Sequence, residues 1–148
     1  MNTFQICGLG NAIVDIFVEV SEPEFASLGF ERGGMTLVDL AAQETLLDSY
    51  RTHEPTLVSG GSVANSIVAF TQLGGQAAFI GCVGDDRYGL FYVNEFEELG
   101  VEIGSPIIVN ESTGTSVCLI TPDAERTMRT CLAVSSHLAA RHVDEERI

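Results

Sequence analysis

Two glycine-containing stretches carry polar residues whose types and spacing could bind a hydroxylated ligand. In GLGNAIVD, Asn11 and Asp15 follow a short apolar run, and in SGGSVAN, Gly60 and Gly61 precede Asn65. A carboxylate can accept charge-assisted hydrogen bonds from two adjacent hydroxyls, and glycines let a ligand approach the backbone closely. The first amides of a helix are also free to donate. This set of groups suits the vicinal diol of a sugar.

Each stretch also has a simpler interpretation. The first could be an exposed turn with a capping asparagine, and the second a tight strand-to-helix turn, although such a turn does not obviously need two glycines. A dinucleotide site is disfavoured, because Ile13 replaces the third glycine of GxGxxG and the residues after it favour a strand. A Gly-Lys-Ser/Thr phosphate loop is excluded, since the chain contains no lysine.

The hydrophobic pattern up to residue 100 predicts strands that alternate with helices, which favours a parallel sheet with helical crossovers. Asp39 and Ser62 are expected to cap helices, and Asp85, Asp86 and Gly89 to form a structural turn that opens another. Strands are expected at 4–10, 12–20, 33–40, 55–61 and 76–86, and helices at 41–50, 62–75 and 87–100.

Beyond residue 100 the pattern changes, because residues 105–111 and 114–133 hold two or three strands with no helix between them. The sequence TPDA at 121–124 is typical of a type I turn, with proline at its second position. These features predict an antiparallel hairpin beside or over the α/β layer. The tail, residues 137–148, is helical in composition.

The composition limits the classes of partner. The net charge is −14 and all seven basic residues are arginines, so nucleic acid and anionic membranes are poor partners. Hydrophobic residues make up 45% of the 148, enough for a core. The four cysteines are spread singly, as expected for free thiols in a reducing compartment. With no secretory signal and no apolar run of about 20 residues, we expect a soluble, cytoplasmic protein.

Four motifs in this order and spacing carry a family resemblance: GLGNAIVDI, SGGSVANSIVAFTQLGG, AFIGCVGDDRYG and STGTSVCLITPDAERTM. Together they resemble the N-terminal half of the PfkB (ribokinase-like) carbohydrate kinases, and they are most similar to its adenosine-kinase-like branch. The resemblance covers essentially the whole chain. It implies an α/β, ribokinase-like fold: a partial parallel sheet flanked by helices, plus a small antiparallel β lid with strands near 15–20, 34–38 and 115–132.

The resemblance also implies roles for individual residues. Asp15 would bind the hydroxyls of the phosphate acceptor with help from Asn11, while Gly60, Gly61 and Asn65 would hold the same sugar from the other side. Within the lid, Met128, Thr130 and Leu132 share one face by the period of two, which would offer a wall for a nucleobase or pack against the core. Arg126 matches a position near the transferred phosphate; its alternative role is a surface arginine that balances an acidic chain.

Several family features are missing from residues 1–148. The Gly-Ala-Gly-Asp-like motif that supplies the general base and anion hole does not occur, nor does the ATP pocket that follows it. Asn94 and Glu97 mimic the magnesium-linked NxxE element but lie in the wrong segment. Arg129 and Ala133 stand where relatives often carry Asn and Gly. We therefore expect the N-terminal portion of a single kinase domain, with ATP and Mg²⁺ used by the full-length parent and neither bound by this chain.

The leading hypothesis is the acceptor-binding half of an ATP-dependent sugar or nucleoside kinase. Adenosine is the best single guess, while ribose and fructose stay open as acceptors. As an isolated chain it is expected to be catalytically inactive. The alternative is a non-catalytic ligand-binding or oligomerisation module derived from the same fold. A homo-oligomer formed through the lid or an unpaired sheet edge is expected in either case.

Overall fold

The computed structural model of the chain describes residues 4–104 and 106–143. These residues form two compact units between which the chain passes repeatedly. Within the described residues, the first unit comprises 4–14, 59–104, 106–114 and 132–143, and the second comprises Asp15–Val58 and Thr115–Cys131.

The elements alternate as the hydrophobic pattern predicts, with short strands throughout. The strands are β1 (Ile6–Leu9), β2 (Ile13–Glu19), β3 (Met35–Leu37), β4 (Thr56–Gly60), β5 (Ala77–Ile80), β6 (Val83–Gly84), β7 (Glu102–Ile103), β8 (Ile107–Ile108), β9 (Gly114–Ile120) and β10 (Arg126–Cys131). The helices are α1 (Glu22–Ser27), α2 (Leu40–Ser49), α3 (Ser62–Gln72) and α4 (Arg87–Glu98), followed by short 3₁₀ helices at Ala133–His137 and Ala140–His142.

The first unit is built on parallel strands. β5 lies between β1 and β7, and β6 pairs with β8, all in parallel. Every residue of β5 is buried, as expected for a central strand of a parallel sheet. Phe79 of β5 packs with two aromatic rings of α4: the Phe96 centroid lies 5.3 Å from that of Phe79 and 4.6 Å from that of Tyr92. The core of this unit thus lies between β5 and α4.

The second unit contains a five-stranded sheet in the order β3-β10-β9-β2-β4. β9 and β10 are antiparallel, and their turn is closed by the Ala124 N–H, which donates to the Thr121 carbonyl over 2.8 Å. The predicted hairpin is therefore confirmed. The alternation of strands and helices along the sequence predicts that β4 belongs to the parallel sheet. Instead, β4 is an edge strand of this second sheet. Strand-forming residues do not by themselves specify which neighbour a strand pairs with.

Helix ends follow their capping chemistry with one exception. Asp39 accepts from the Ala42 N–H over 2.8 Å and Asp86 from the Gly89 N–H over 2.8 Å, which confirms both predicted helix starts. The prediction that Ser62 caps α3 is wrong. The N-cap is Gly61, with φ of +108°, and Ser62 is already the first residue of the helix.

Two elements were not predicted, and one predicted helix is not observed. α1 has a capping box, in which Ser21 accepts from the Glu24 N–H and the Glu24 carboxylate accepts from Ser21; the S-x-x-E pattern could have revealed it. β7 is too short for its pattern to show. The expected C-terminal helix is not formed over residues 137–143, which contain only 3₁₀ turns, and residues 144–148 lie outside the described chain. Among the described residues, no helix has the length and apolarity required to cross a membrane.

Candidate functional site

In the first unit, two of the predicted binding residues are in direct contact. Gly61 adopts a left-handed φ of +108°, and a β-carbon at this position would overlap the carbonyl oxygen of Asn11. A side chain at residue 61 is therefore disfavoured both by the left-handed backbone conformation and by steric overlap with Asn11. The close approach of the two backbones joins the end of β1 to the start of α3.

The N-terminus of α3 has donors available. No side chain of the described residues caps it, and only the backbone carbonyl of Gly61 begins its hydrogen-bond ladder, accepting from the Asn65 N–H over 2.9 Å. Asn65 lies in the first turn with its residue exposed. The first unit thus presents uncapped helix amides and two exposed amide side chains, those of Asn11 and Asn65.

The glycines before Asn11 have a packing role. A β-carbon at Gly8 would lie 2.5 Å from Ile67 Cγ1, and one at Gly10 would lie 3.1 Å from Val63 Cβ. Both contacts are with α3, so these glycines let the helix pack closely on β1. These close contacts position the start of α3 against β1.

In the second unit, the remaining predicted residues share one face of the sheet. Along β2, Asp15 and Phe17 alternate with the buried Ile16 and Val18. In the register of β9 and β10, Ser116 lies opposite Thr130 and Cys118 opposite Met128. We call this side of the sheet, on which Ser116, Cys118 and Thr130 are buried, the Asp15 face. Its members are Asp15, Phe17, Ser116, Cys118, Arg126, Met128 and Thr130.

Contacts across the strands support this assignment. The Ser116 and Thr130 hydroxyls are 2.9 Å apart, and the Arg126 guanidinium lies 5.8 Å from the centroid of the Phe17 ring. The edge strand β3 continues the same surface, because Met35 pairs with Met128 and Leu37 with Thr130. Met35 and Leu37 are 58% and 59% exposed. The Asp15 face therefore combines one carboxylate, one guanidinium, two hydroxyls and an apolar border.

Burial controls the acid–base chemistry of this face. Asp15 is half-buried, and burial raises the pKa of its carboxyl group; no described cation lies within ion-pair distance. Burial, reinforced by the negative charge of Asp15, raises the pKa of the Cys118 thiol to about 11. Cys118 is thus a neutral thiol near pH 7, and burial disfavours the charged form of Asp15.

One residue differs from its sequence-based assignment, and Arg129 lies away from the Asp15 face. β10 ends at Cys131 and Leu132 has a helical backbone, so the prediction that Leu132 continues the face of Met128 and Thr130 is wrong. Arg129 points to the opposite face, where it is 8% exposed. Its guanidinium stacks 3.9 Å from the Phe30 ring centroid and donates to Thr36 Oγ1 over 3.1 Å.

The described residues do not offer a magnesium site. They contain no group of three or more His, Cys, Asp or Glu side chains arranged to hold a metal ion. They also contain no lysine that could contact a phosphate. The residues that sequence analysis missed are Phe17, Ser116 and Cys118, which strand alternation places beside the predicted ones.

The mixed α/β architecture, with parallel strands flanked by helices and an antiparallel hairpin, is that of the ribokinase-like kinases. Residues 34–148 match the model of the pfkB family carbohydrate kinases. The chain belongs to this family, and the resemblance inferred from its four motifs is confirmed.

Similarity to adenosine kinases extends over nearly the whole chain. An adenosine kinase from Saccharomyces cerevisiae is 26% identical over 97% of this chain and 44% of its own length. The crystal structure of adenosine kinase from Sinorhizobium meliloti superposes with a TM-score of 0.82 at 29% identity, over 97% of this chain and 43% of that one. A 5-dehydro-2-deoxygluconokinase from Photobacterium profundum is 37% identical over 57% of this chain and 25% of its own length. The chain thus spans less than half the length of these relatives.

Proposed function

We propose that this chain is the acceptor-binding part of an ATP-dependent sugar or nucleoside kinase, with adenosine as the best single acceptor. The observation that carries the proposal is Asp15, a half-buried carboxyl group that has no ion-pair partner in the described part of the chain and lies on a face bordered by apolar residues. An uncompensated carboxylate is costly to bury, and neighbouring hydroxyl donors of a sugar would offset that cost. The extended similarity to adenosine kinases supports the choice of acceptor.

Each predicted residue then has a defined contribution. Asp15 accepts hydrogen bonds from the sugar hydroxyls, while Asn11, Gly60, Gly61 and Asn65 supply amide and backbone groups of the first unit. On the Asp15 face, Met128 and Thr130 contact the base, and Arg126 binds the phosphate that is transferred. Leu132 stays a predicted contact outside this face.

The chemical step requires groups that the chain does not supply. Phosphoryl transfer needs a positioned donor, a metal ion and a base that deprotonates the hydroxyl. Neither a Gly-Ala-Gly-Asp motif nor a metal-binding cluster occurs among the described residues, so we assign the base, ATP and Mg²⁺ to other parts of a longer protein. This chain alone is proposed to bind acceptor without phosphorylating it.

Calorimetric titration of this chain with adenosine, ribose and fructose tests the proposal. Saturable binding of one compound, lost in Asp15→Ala and retained in Glu44→Ala, is the expected result. Glu44 is an exposed carboxylate on α2, so the control removes the same charge at a position that is assigned no contact with the acceptor. Equal affinity in Asp15→Ala would reject Asp15 as the acceptor ligand, and no binding of any compound would reject acceptor recognition by this chain.

A second proposal concerns self-association, for which the exposed side chains of Met35 and Leu37 on the edge strand β3 are the specific observation. Edge strands with apolar side chains promote pairing between chains. Sedimentation velocity of the chain and of a Met35→Lys, Leu37→Lys variant tests this. We expect the unaltered chain to sediment as a dimer and the double variant as a monomer. An unaltered chain that is monomeric at all concentrations would refute self-association through β3.

A further inference from the structure

The peptide that leads into the Gly60–Gly61 turn is held by a side chain of α4. β4 lies at one edge of its sheet, so among the described residues its outer peptide groups have no neighbouring strand to pair with. Ser59 is nevertheless only 8% exposed, and a buried N–H without a partner is strongly unfavourable. The Glu95 carboxylate accepts from the Ser59 N–H over 2.5 Å. This charge-assisted bond replaces the missing strand partner.

A second side chain of α4 holds the next residue. The Tyr92 hydroxyl donates to the Gly60 carbonyl over 3.2 Å. Tyr92 lies three residues before Glu95 on the helix, so both side chains point to the same side. Its ring is fully buried and stacks on Phe96, with centroids 4.6 Å apart. The packing of the ring therefore fixes the position of the hydroxyl.

The two bonds act on the backbone immediately before Gly61. Ser59 and Gly60 are tethered to α4, and Gly61 must then turn with φ of +108° against the carbonyl of Asn11. The start of the uncapped helix α3, with Asn65 in its first turn, follows directly. Any rotation of the Ser59–Gly60 peptides would move the backbone groups assigned to the acceptor.

We propose that Tyr92 and Glu95 are positioning residues for acceptor binding, which act through the Gly60–Gly61 turn. The inference rests on the proposed function, because it assumes that this turn contacts the acceptor. Neither side chain is assigned a contact with the acceptor itself. Their contribution is to keep the glycine turn and the α3 N-terminus in one binding-competent arrangement.

Four variants separate this role from a general effect on folding. Glu95→Ala removes the acceptor of the Ser59 N–H, whereas Glu95→Gln retains a carbonyl oxygen that can accept it. Tyr92→Phe removes only the hydroxyl and keeps the stacked ring. Glu98→Ala is the matched control, because it removes the same charge from an exposed position of the same helix.

Two measurements are made on each variant: amide hydrogen exchange by NMR, and adenosine affinity by calorimetry. Glu95→Ala is expected to weaken binding about tenfold and Tyr92→Phe about threefold, as for loss of a buried hydrogen bond. Exchange at Ser59, Gly60 and Gly61 should accelerate in both variants, while β1 and β5 stay protected. Glu95→Gln should recover most of the affinity, and Glu98→Ala should match the unaltered chain.

The outcomes distinguish this inference from the proposed function. If the unaltered chain binds adenosine but Glu95→Ala binds equally well, or loses protection throughout the first unit, the positioning role is rejected while the proposed function stands. If the unaltered chain binds none of adenosine, ribose and fructose, the proposed function fails, and the positioning role fails with it. Faster exchange confined to the turn together with weaker binding establishes both.

Discussion

The carbonyl oxygen of Asn11 lies against the α-carbon of Gly61, so closely that any β-carbon at residue 61 would overlap it. The two residues are far apart along the chain, yet they fix each other's backbone. The contact joins the end of β1 to the start of α3 within the first unit. Substitutions at Gly61 should therefore affect both stability and the presentation of the helix amides.

Gly61→Ala should lower the free energy of unfolding by about 3 kcal/mol or more, since it combines a disfavoured φ with a steric overlap. Gly74→Ala is the matched comparison. Gly74 also has a left-handed φ, of +93°, but a β-carbon there meets nothing within 4 Å. Its substitution should cost only about 1–2 kcal/mol. Urea denaturation of both variants measures the difference, and equal losses would show that the Asn11 contact contributes nothing.

Asp15→Asn should increase stability near pH 7 while it weakens acceptor binding. Burial raises the folded-state pKa of Asp15 above the unfolded value of 3.8, so ionisation is penalised in the folded chain. Protonated Asp15 makes its full contribution to the free energy of unfolding below pH 3.8. This contribution is lost as the pH rises through the raised folded-state pKa.

The stability advantage of Asp15→Asn should therefore be largest at neutral pH and should vanish in acid. Urea denaturation between pH 3 and pH 7 measures it. A variant that is less stable than the unaltered chain at pH 7 would contradict the assignment of burial as the dominant influence on Asp15.

Cys118 should resist alkylation in the native chain up to strongly alkaline pH. Its pKa is raised to about 11, first by burial and then by the charge of Asp15, and the thiolate is the reactive form. In Asp15→Asn the thiol pKa should fall, because one of the two influences is removed. Iodoacetamide labelling followed by mass spectrometry, compared with the less buried Cys7, provides the measurement. Rapid native labelling of Cys118 in the unaltered chain would count against its burial on this face.

Asp86→Ala should destabilise the first unit by about 2 kcal/mol, at the upper end for a helix cap. The carboxylate of Asp86 caps α4 at the Gly89 N–H and also accepts from the Thr113 N–H over 2.9 Å and from the Thr113 hydroxyl over 2.7 Å. Asp85→Ala is the control, since Asp85 accepts only from the Asn110 N–H among the bonds described. Denaturant titration of the two variants should show a clearly larger loss for Asp86; similar losses would argue against the cap.

Residues close together in the sequence determined many local features of this structure. Period-two alternation in β2 placed Asp15 opposite the buried Ile16 and Val18, and side-chain oxygens fixed the starts of α2 and α4. Proline and aspartate at 122–123 specified the turn between β9 and β10. Each of these features depends on residues within a few positions of one another, so the sequence by itself was sufficient to predict them.

Other features depended on pairings that local patterns do not encode. Only the tertiary structure decided that β4 joins the sheet of β2 and β9, that Arg129 stacks on Phe30, and that β10 ends before Leu132. The same holds for the contact of Asn11 with Gly61 and for the bonds from α4 to Ser59 and Gly60. These arrangements join residues far apart along the chain, and close packing with satisfaction of buried polar groups selects them only once the whole fold has formed.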